Sequence, residues 1–227
     1  MSDYRRTSKA VGRGVAIIFA WLVVSQGMFR LFKRFVHFPA PPPVTLFFNS
    51  RLRRKMQSPE QVVDWMALEA GWQVVEIGPG GGVFTAEAAR QVGPDGRVYA
   101  FDIQPGMIAR LQSQLAQAAL TNVTAEVASA YDLPLSDASI DRAFMITVLP
   151  EIPDKQAALA EIRRVLKPDG ILAIGELIVD PDYPLRRTVV RWCRDAGLDL
   201  IATYNARMHY LLLFKPRKLL LTDRQSA

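Results

Sequence analysis

Two hydrophobic patterns alternate along the chain from residue 58 to residue 216. Short apolar runs bounded by glycine, proline or aspartate are typical of buried strands, and apolar residues three and four positions apart are typical of helices that bury one face. The apolar runs predict strands over residues 74–77, 97–102, 122–127, 141–148, 171–179, 198–203 and 208–214. The helical spacing predicts helices over residues 58–71, 86–92, 105–120, 154–166 and 185–196.

The order of these elements predicts the fold class. Strands that alternate with helices form a parallel, doubly wound α/β sheet. The last two strands are joined only by the short turn over residues 204–207, and strands joined so tightly are antiparallel neighbours. We therefore expect a seven-stranded, mostly parallel sheet with a C-terminal antiparallel hairpin.

Capping residues predict where two of the helices begin and where one ends. Ser58, followed by Pro59 and by Gln61 at the third helical position, matches a capping box with proline in the first turn. Gly71 is expected to end the same helix, because glycine adopts the left-handed conformation that closes helices. Asp154 is expected to cap the helix over residues 154–166.

The first 38 residues carry a different pattern. An uncharged apolar run over residues 14–29 has four basic residues before it and three after it. A membrane span needs about 20 apolar residues, so this run spans only if the flanking basic side chains snorkel. Beyond it, basic residues and His37 recur at helical spacing, which favours a helix lying on anionic lipid headgroups. We expect residues 1–38 to form an N-terminal hydrophobic helix that associates with the membrane, monotopic or single-pass, with the catalytic domain in the cytoplasm.

Two other interpretations of this segment stay open. It could be a cleaved signal sequence, although the charges resume at once and no small-residue cleavage site precedes Pro39. It could also be a helix that packs on the domain or on a second subunit, which would allow an oligomer through the N-terminal helix.

A proline-rich stretch over residues 39–43 marks the domain boundary, because consecutive prolines form a stiff linker. We assign residues 1–38 to the helix and basic arm, 39–57 to the linker and a basic juxtamembrane segment, 58–216 to the catalytic domain and 217–227 to a tail. The apolar residues 46–48 and the basic residues 51–55 have two interpretations. They could form a membrane contact or a lid over the substrate entrance, or a solvated basic face whose apolar side rests on the core.

Charge and composition limit the partners. The net charge is +6, yet residues 1–55 hold eleven Lys or Arg and one acid, so the remainder is acidic by about four charges. The basic arm therefore predicts an anionic partner, either lipid or nucleic acid. We favour anionic membrane lipids and no nucleic acid, because the apolar run has no use in a phosphate contact. One cysteine and two histidines exclude an intrachain disulfide, make a metal centre improbable and suit a reducing compartment.

A glycine-rich stretch connects the first strand to the next helix. Gly78, Gly80 and Gly82 follow Glu76 at alternate positions. Glycine is needed where the backbone takes a positive φ or a ligand approaches closely, and the helix N-terminus that follows favours polar and anionic groups. A dinucleotide fingerprint would have its third glycine at Val83, so the chain departs from that pattern.

The glycine loop resembles the E/D-x-G-x-G-x-G loop of the class I S-adenosylmethionine (SAM)-dependent methyltransferases, in the type 11, UbiE-like group. Three more segments are similar to motifs of that family: residues 98–102, which end in Asp102, residues 133–143, and residues 161–170. The resemblance covers residues 59–216. It implies a Rossmann-like methyltransferase fold.

The resemblance implies SAM as the cofactor. It places Glu76 near the ammonium group of SAM and Asp102 on the ribose hydroxyls. The other cofactor-binding residues that it implies are Gly78, Pro79, Gly80 and Gly82 in the loop, Ile103 and Met107 beside the adenine, and Ser129 and Ala130 near the adenine amino group. Many relatives have aspartate where this chain has Ser129. Two of these residues have alternative roles. Asp102 could instead cap the next helix, and Met107 could instead be an ordinary core residue.

Polar residues near the predicted carboxyl ends of strands four and five are the candidates for catalysis. Methyl transfer is an in-line displacement, so positioning supplies much of the rate, and only a protonated acceptor needs a general base. The candidates are Thr147, Glu151, Glu176 and Tyr183. The alternative for each is an ordinary cap or turn residue.

These features predict a membrane-associated SAM-dependent methyltransferase with a lipophilic acceptor, either a phospholipid or other lipid amine, or an isoprenoid quinone precursor. One alternative is a tethered methyltransferase for a soluble small molecule or a protein. Another is a SAM-binding protein without turnover. An Asn-Pro-Pro-Tyr motif is absent from the sequence, which argues against methylation of nucleic-acid bases.

Overall fold

The computed structural model describes residues 51–180 and 182–217. The predicted N-terminal helix, the proline-rich stretch of the linker and the C-terminal tail after Arg217 lie outside these residues. Within the described part of the chain, every helix is too short or too polar to cross a membrane.

The described residues form six α-helices and seven strands. The helices are α1 Arg51–Met56, α2 Pro59–Met66, α3 Val83–Val92, α4 Pro105–Gln117, α5 Lys155–Val165 and α6 Arg186–Asp195. The strands are β1 Gln73–Ile77, β2 Arg97–Asp102, β3 Val123–Val127, β4 Ile140–Ile146, β5 Leu166–Leu177, β6 Leu198–Asn205 and β7 His209–Pro216. A 3₁₀ turn over Leu149–Glu151 follows β4.

The strands form one sheet in the order β3-β2-β1-β4-β5-β7-β6. Strand β7 is antiparallel to β5 and β6, and the other pairings are parallel. The predicted seven-stranded, mostly parallel sheet with an antiparallel C-terminal hairpin is therefore confirmed. The strand order reverses between β1 and β4, and ligands of doubly wound sheets bind at the carboxyl ends of the strands beside such a reversal.

Apolar cores cover both faces of the sheet. On one face, Ile162 of α5 and Val189 of α6 are fully buried in a cluster with Leu212 of β7. On the other face, Val62 of α2 and Ala88 of α3 are buried with residues from the opposite side of the same strands. Each central strand is thus buried on both sides, which explains why its sequence is a continuous apolar run rather than an alternating one.

Two of the predicted helix starts are confirmed, and the two largest errors in predicted boundaries are at the end of α2 and the start of β5. Ser58 caps α2 by accepting a hydrogen bond from the backbone N–H of Gln61, and Asp154 caps α5. Gly71 does not end α2, because Ala67 closes it with a left-handed φ of 49°. Strand β5 begins at Leu166 instead of residue 171, because Pro168 prevents α5 from continuing and Leu166 pairs with Ile140.

The cap of α5 gives a test of the fold. The carboxylate of Asp154 accepts a hydrogen bond of 3.0 Å from the Ala157 N–H, which otherwise has no intrahelical partner. We expect Asp154→Ala to lower the free energy of unfolding by about 1 kcal/mol. The thermal midpoint should fall by about 2–4 °C, measured by circular dichroism. Asp154→Asn is the control, because its side-chain oxygen still accepts, and an equal loss in both variants would contradict the capping role.

Candidate active site

The glycine loop between β1 and α3 has a packed side and an open side. Gly78, Gly80 and Gly82 all have positive φ values, of 69°, 52° and 69°. A Cβ on Gly78 would lie 2.5 Å from a methyl group of Val148, and a Cβ on Gly82 would lie 2.4 Å from Leu111. A Cβ on Gly80 would have no neighbour within 4 Å. Two of the glycines therefore permit close packing, whereas Gly80 borders space that a ligand can use.

Glu76 lies beneath this loop with 1% of its surface exposed. The hydroxyl of Thr85 donates a short hydrogen bond to its carboxyl group. Burial raises the pKa of Glu76 to about 8 against the opposing effect of Thr85, and the nearby Asp102 raises it further. The carboxyl group is therefore largely neutral at pH 7, and a cationic ligand group beside it would favour its ionised form.

Asp102 ends β2 at the same edge of the sheet. It is half-buried, and its Oδ1 accepts a hydrogen bond of 2.9 Å from the backbone N–H of Gln104. The N-cap position of α4 is held by Gln104, whose side chain makes no cap hydrogen bond. Burial raises the pKa of Asp102, and the hydrogen bonds from Gln104 and Ile103 oppose that change. The structure thus gives Asp102 a turn-forming bond, and its role on ribose stays a prediction.

The residues predicted to surround adenine lie along one side of this edge. Ile103 has 67% of its surface exposed. Met107 is half-buried and lies outside the buried stripe of α4. Ser129 and Ala130 are half-buried after β3, and the hydroxyl of Ser129 accepts a hydrogen bond of 3.2 Å from the N–H of Tyr131. Pro79 is buried within the loop itself.

Thr147 follows β4 in a strained conformation. Its φ of 60° is left-handed, which costs a β-branched residue about 1–3 kcal/mol. Its hydroxyl donates to the carbonyl of Ile146 at 2.7 Å and accepts from the Arg53 guanidinium at 3.1 Å. The neighbouring Val148 is the residue that meets Gly78, so Thr147 stands directly beside the glycine loop.

Glu176 lies near the end of β5 and is almost completely buried. Neither of its carboxyl oxygens has a hydrogen-bond partner among the described residues. Burial raises the pKa of Glu176 well above its usual value, and Asp180, Glu151 and Asp182 raise it further, whereas Arg53 lowers it. A buried carboxyl group without a partner is costly, so Glu176 is a strong candidate for contact with a ligand.

The other two predicted catalytic residues stand near Glu176. Glu151 is half-buried in the 3₁₀ turn after β4 and interacts electrostatically with Glu176. Tyr183 is half-buried and packs edge-on against Tyr210, with ring centroids 5.7 Å apart. Tyr210 pairs with Glu176 across β5 and β7. The fold thus assembles the four candidates from three separate segments, and their roles in catalysis stay predictions.

Three buried polar residues of this region were not predicted from the sequence. Arg53 and Gln57 come from α1 and the residue after it, and His209 begins β7. The Nδ1 atom of His209 lies 3.0 Å from the carbonyl of Met56, while its Nε2 and the Nε2 of Gln57 have no partner among the described residues. The sequence does contain one indication that two of them lie together: Arg53 and Gln57 are four positions apart, which places them on the same face of a helix.

Arg53 departs from the second interpretation of residues 51–55, a solvated basic face whose apolar side rests on the core. Arg54 and Lys55 are exposed, but Arg53 is buried with 6% of its surface exposed. Its guanidinium group reaches Thr147, 94 residues away along the chain, and lies 5.8 Å from the ring centroid of Phe84.

The described residues include no group of three or more His, Cys, Asp or Glu side chains that could hold a metal ion.

Comparison with known proteins identifies the family. Residues 68–209 match a family described as a methyltransferase domain. A ubiquinone/menaquinone biosynthesis C-methyltransferase from Psychromonas ingrahamii is 30% identical over 166 residues, which cover 73% of this chain and 56% of that protein. An arsenite methyltransferase from Halobacterium salinarum is 31% identical over 118 residues, which cover 52% of this chain and 30% of that protein. The chain thus spans about half or less of the length of these curated relatives.

A solved structure supports the same assignment at the level of the fold. The crystal structure of a SAM dependent methyltransferase from Aquifex aeolicus aligns with a TM-score of 0.73 and 24% identity, covering 78% of this chain and 98% of that chain. The family match covers more than half of the present chain. The chain therefore belongs to the methyltransferase domain family of SAM-dependent methyltransferases, and its cofactor is SAM.

Proposed function

We propose that this protein is a membrane-associated methyltransferase that transfers the methyl group of SAM to a lipophilic acceptor. A quinone precursor is the favoured acceptor, and a lipid amine is the other candidate. The observation that carries this proposal is the exposure of large apolar side chains around the carboxyl edge of the sheet. The basic and apolar sequence of residues 1–38 supports it independently.

The exposed apolar side chains share one edge of the sheet with polar residues. Seven large apolar residues of the described chain are exposed, and five of them lie at or just beyond the carboxyl ends of strands, or at the start of the helix that follows. These five are Ile103, Val127, Tyr131, Ile178 and Leu185. They lie at the same edge of the sheet as Asp102 and Glu176, and a soluble polar acceptor would gain nothing from apolar side chains there. Exposed apolar groups with a polar rim or centre mark binding sites for apolar ligands or membranes.

The acceptors of the two relatives differ in their demands on the protein. The quinone-biosynthesis relative transfers a methyl group to carbon, by its name, and the other relative acts on arsenite. Trivalent arsenic is a soft ion, and soft ions favour thiolate ligands. The one cysteine of this chain, Cys193, is fully buried, and burial raises its pKa, so it is not a reactive thiolate. This favours a quinone precursor over arsenite.

The residues around the glycine loop fit SAM. The open side of Gly80 gives the ligand room, the buried Glu76 suits an ammonium group, and the exposed Ile103 offers an apolar surface to an adenine ring. When bound, SAM supplies a methyl group on a sulfonium centre. The protein supplies orientation and exclusion of water, and the short distance from Gly78 to Val148 brings the loop beside Thr147 on the acceptor side.

The raised pKa of Glu76 gives a test that needs no substrate. The folded protein holds this proton to about pH 8, whereas the unfolded chain releases it near the usual value of 4.5. The contribution of Glu76 to stability is therefore full below pH 4.5 and is lost as the pH rises through 8. We expect the free energy of unfolding to fall from pH 5 to pH 8 by a few kcal/mol more in the wild type than in Glu76→Gln, measured by urea denaturation.

Glu126→Gln on β3 is the matched control for this titration, because it makes the same change of side chain at an exposed position. It should keep the wild-type slope. Equal slopes in the wild type and Glu76→Gln would show that the carboxyl group of Glu76 does not hold its proton in the folded state.

Transfer of label tests the function itself. The full chain is incubated with methyl-labelled SAM and a total membrane extract, and the products are partitioned into an organic solvent. We expect label in the organic phase, reduced about tenfold or more in Asp102→Ala, because hydrogen bonds to a charged group contribute about 1.5–3 kcal/mol. Asp95→Ala is the control, since it removes an exposed carboxylate just before β2.

Other distributions of label would identify the alternatives. Label confined to the aqueous phase or to protein would contradict a lipophilic acceptor and leave a tethered methyltransferase. Bound SAM that is never consumed would indicate a binding protein without turnover. Deletion of residues 1–40 should lower methyl transfer to the membrane extract. Unchanged turnover would show that the N-terminal arm serves only as an anchor.

A further inference from the structure

Helix α6 concentrates positive charge in a part of the chain that is otherwise acidic. Its ten residues include four arginines and one aspartate, whereas the chain after residue 55 is acidic by about four charges. Arg187, Arg191 and Arg194 lie at positions i, i+4 and i+7, so they share one face of the helix. All three are exposed, and Val189 and Cys193 on the opposite face are fully buried. We call these three side chains the arginine stripe.

Few acidic groups are placed to neutralise the arginine stripe. The one acid of the helix itself is Asp195, at its last position. Asp199 of β6 also interacts with the stripe, but its carboxylate is bound by Arg217 at 2.6 Å. Asp182, which precedes the helix, interacts with Lys155 of α5. The stripe therefore presents a net positive charge to the surroundings of the domain.

An exposed leucine begins the same helix. Leu185 holds the N-cap position, where Ser, Thr, Asp and Asn are preferred because their side chains accept a hydrogen bond from the first turn. It makes no such bond, and 53% of its surface is exposed. Ile178, which follows β5, is also exposed, by 49%. A residue that neither caps the helix nor contributes to the core is a candidate for contact with an apolar partner.

The position of α6 connects these two features with the candidate active site. The helix leads from the carboxyl end of β5 to the start of β6, which runs parallel to β5 because both are antiparallel to β7. Leu185 therefore lies at the edge of the sheet that holds Asp102 and Glu176. The arginine stripe runs from that edge along the outer side of the domain.

Arginines on one helix face and an apolar side chain at its end match the surface of an anionic bilayer. The guanidinium groups bind the phosphates of anionic headgroups, and the apolar side chain enters the boundary between headgroups and acyl chains. Nucleic acid would attract the same arginines, but its phosphates offer Leu185 no apolar partner. The combination therefore favours lipid.

We propose that the catalytic domain docks on an anionic lipid bilayer through the arginine stripe, with Leu185 inserted at the headgroup boundary. This inference rests on the proposed function and adds a second membrane contact, made by the domain itself instead of residues 1–38. Helix α6 lies along the bilayer surface, and the carboxyl edge of the sheet opens beside it. A lipophilic acceptor then reaches the site from the bilayer without crossing water.

A fluorescent dye at position 185 tests the contact without SAM or an acceptor. Cys193, the one cysteine of the sequence, is buried, so Leu185→Cys in the full chain can be labelled selectively with nitrobenzoxadiazole. The labelled protein is mixed with vesicles of equal parts phosphatidylcholine and phosphatidylglycerol. We expect the emission to shift to the blue and to rise about twofold or more, because the dye leaves water for the acyl boundary. Vesicles of phosphatidylcholine alone should give little change.

Two controls show that the change reports this surface. Asp95→Cys carries the same dye at an exposed position before β2, at the opposite edge of the sheet, and its emission should not change. Co-sedimentation with the vesicles measures total binding, including any binding through residues 1–38. An equal change at positions 95 and 185 would overturn the proposed orientation.

Removal of the arginine stripe tests the electrostatic part. In labelled Leu185→Cys, the triple change Arg187→Gln, Arg191→Gln and Arg194→Gln should lower the emission change at saturating vesicles by about half or more, because each arginine near an anionic surface strengthens binding about fivefold. The matched control is the triple change Arg54→Gln, Arg90→Gln and Arg97→Gln, which removes three exposed charges from elsewhere on the domain. It should keep the full change.

Three outcomes would overturn the proposal: no change at position 185, the same change with phosphatidylcholine alone, or a change that the stripe variant retains in full. The first two need no substitution in the stripe, so they apply even if that variant does not fold. A change caused by double-stranded DNA and not by vesicles would also overturn it and would assign the stripe to nucleic acid.

Failure of the docking surface and failure of the proposed function give different results. A protein that docks but gives no label in the organic phase would contradict the lipophilic acceptor and leave the docking surface intact. Label in the organic phase without an emission change at position 185 would contradict the docking surface alone.

Discussion

The contact between Gly78 and Val148 is the constraint on which the site depends. These residues follow β1 and β4, the two strands between which the sheet reverses its order. Because a Cβ on Gly78 would lie 2.5 Å from Val148, the two loops can meet only if one of them is bare backbone at a positive φ. The contact brings the glycine loop, which follows Glu76, against the segment after β4 that contains Thr147.

Burial of polar groups around this contact makes the unliganded site costly. Glu76 and Glu176 are both buried, and burial raises the pKa of each. Thr147 adds a left-handed backbone, and Arg53 a desolvated cation. A sequence under selection for stability alone would have apolar residues here, because a well-packed apolar core avoids the free-energy cost of burying carboxyl groups and a cation. Their concentration at one edge of the sheet is typical of a site whose groups are stabilised by a ligand.

The parts of the fold that depend on local pattern were predictable from the sequence, as the cap tested by Asp154→Ala illustrates. Runs of apolar residues revealed the seven strands, and the four-residue turn revealed the hairpin. The end of α2 was missed because Ala67 adopts a conformation that usually requires glycine. The start of β5 was missed because the pairing of Leu166 with Ile140 is a tertiary interaction, and spacing along one segment contains no information about it.

The sequence predicted only those residues of the site that belong to a recognisable motif. Glu76, the glycines and Asp102 belong to a loop and a strand whose sequence resembles a known family. Arg53 belongs to no motif, and its neighbours Arg54 and Lys55 are exposed cations, so the sequence could not distinguish a lid or membrane contact from a solvated face. What distinguishes it is a hydrogen bond to a residue 94 positions away. Such a contact depends on the whole fold being assembled.

Arg53 lies between the proline-rich stretch and the region that matches the family. It lies ten residues after the last proline of the linker in the sequence. The buried face of α1 serves the site, whereas its exposed face carries Arg54 and Lys55. The same short helix thus combines the exposed cations Arg54 and Lys55 with one cation that is buried against the segment after β4. Burial of Arg53 therefore fixes the orientation of this helix on the domain.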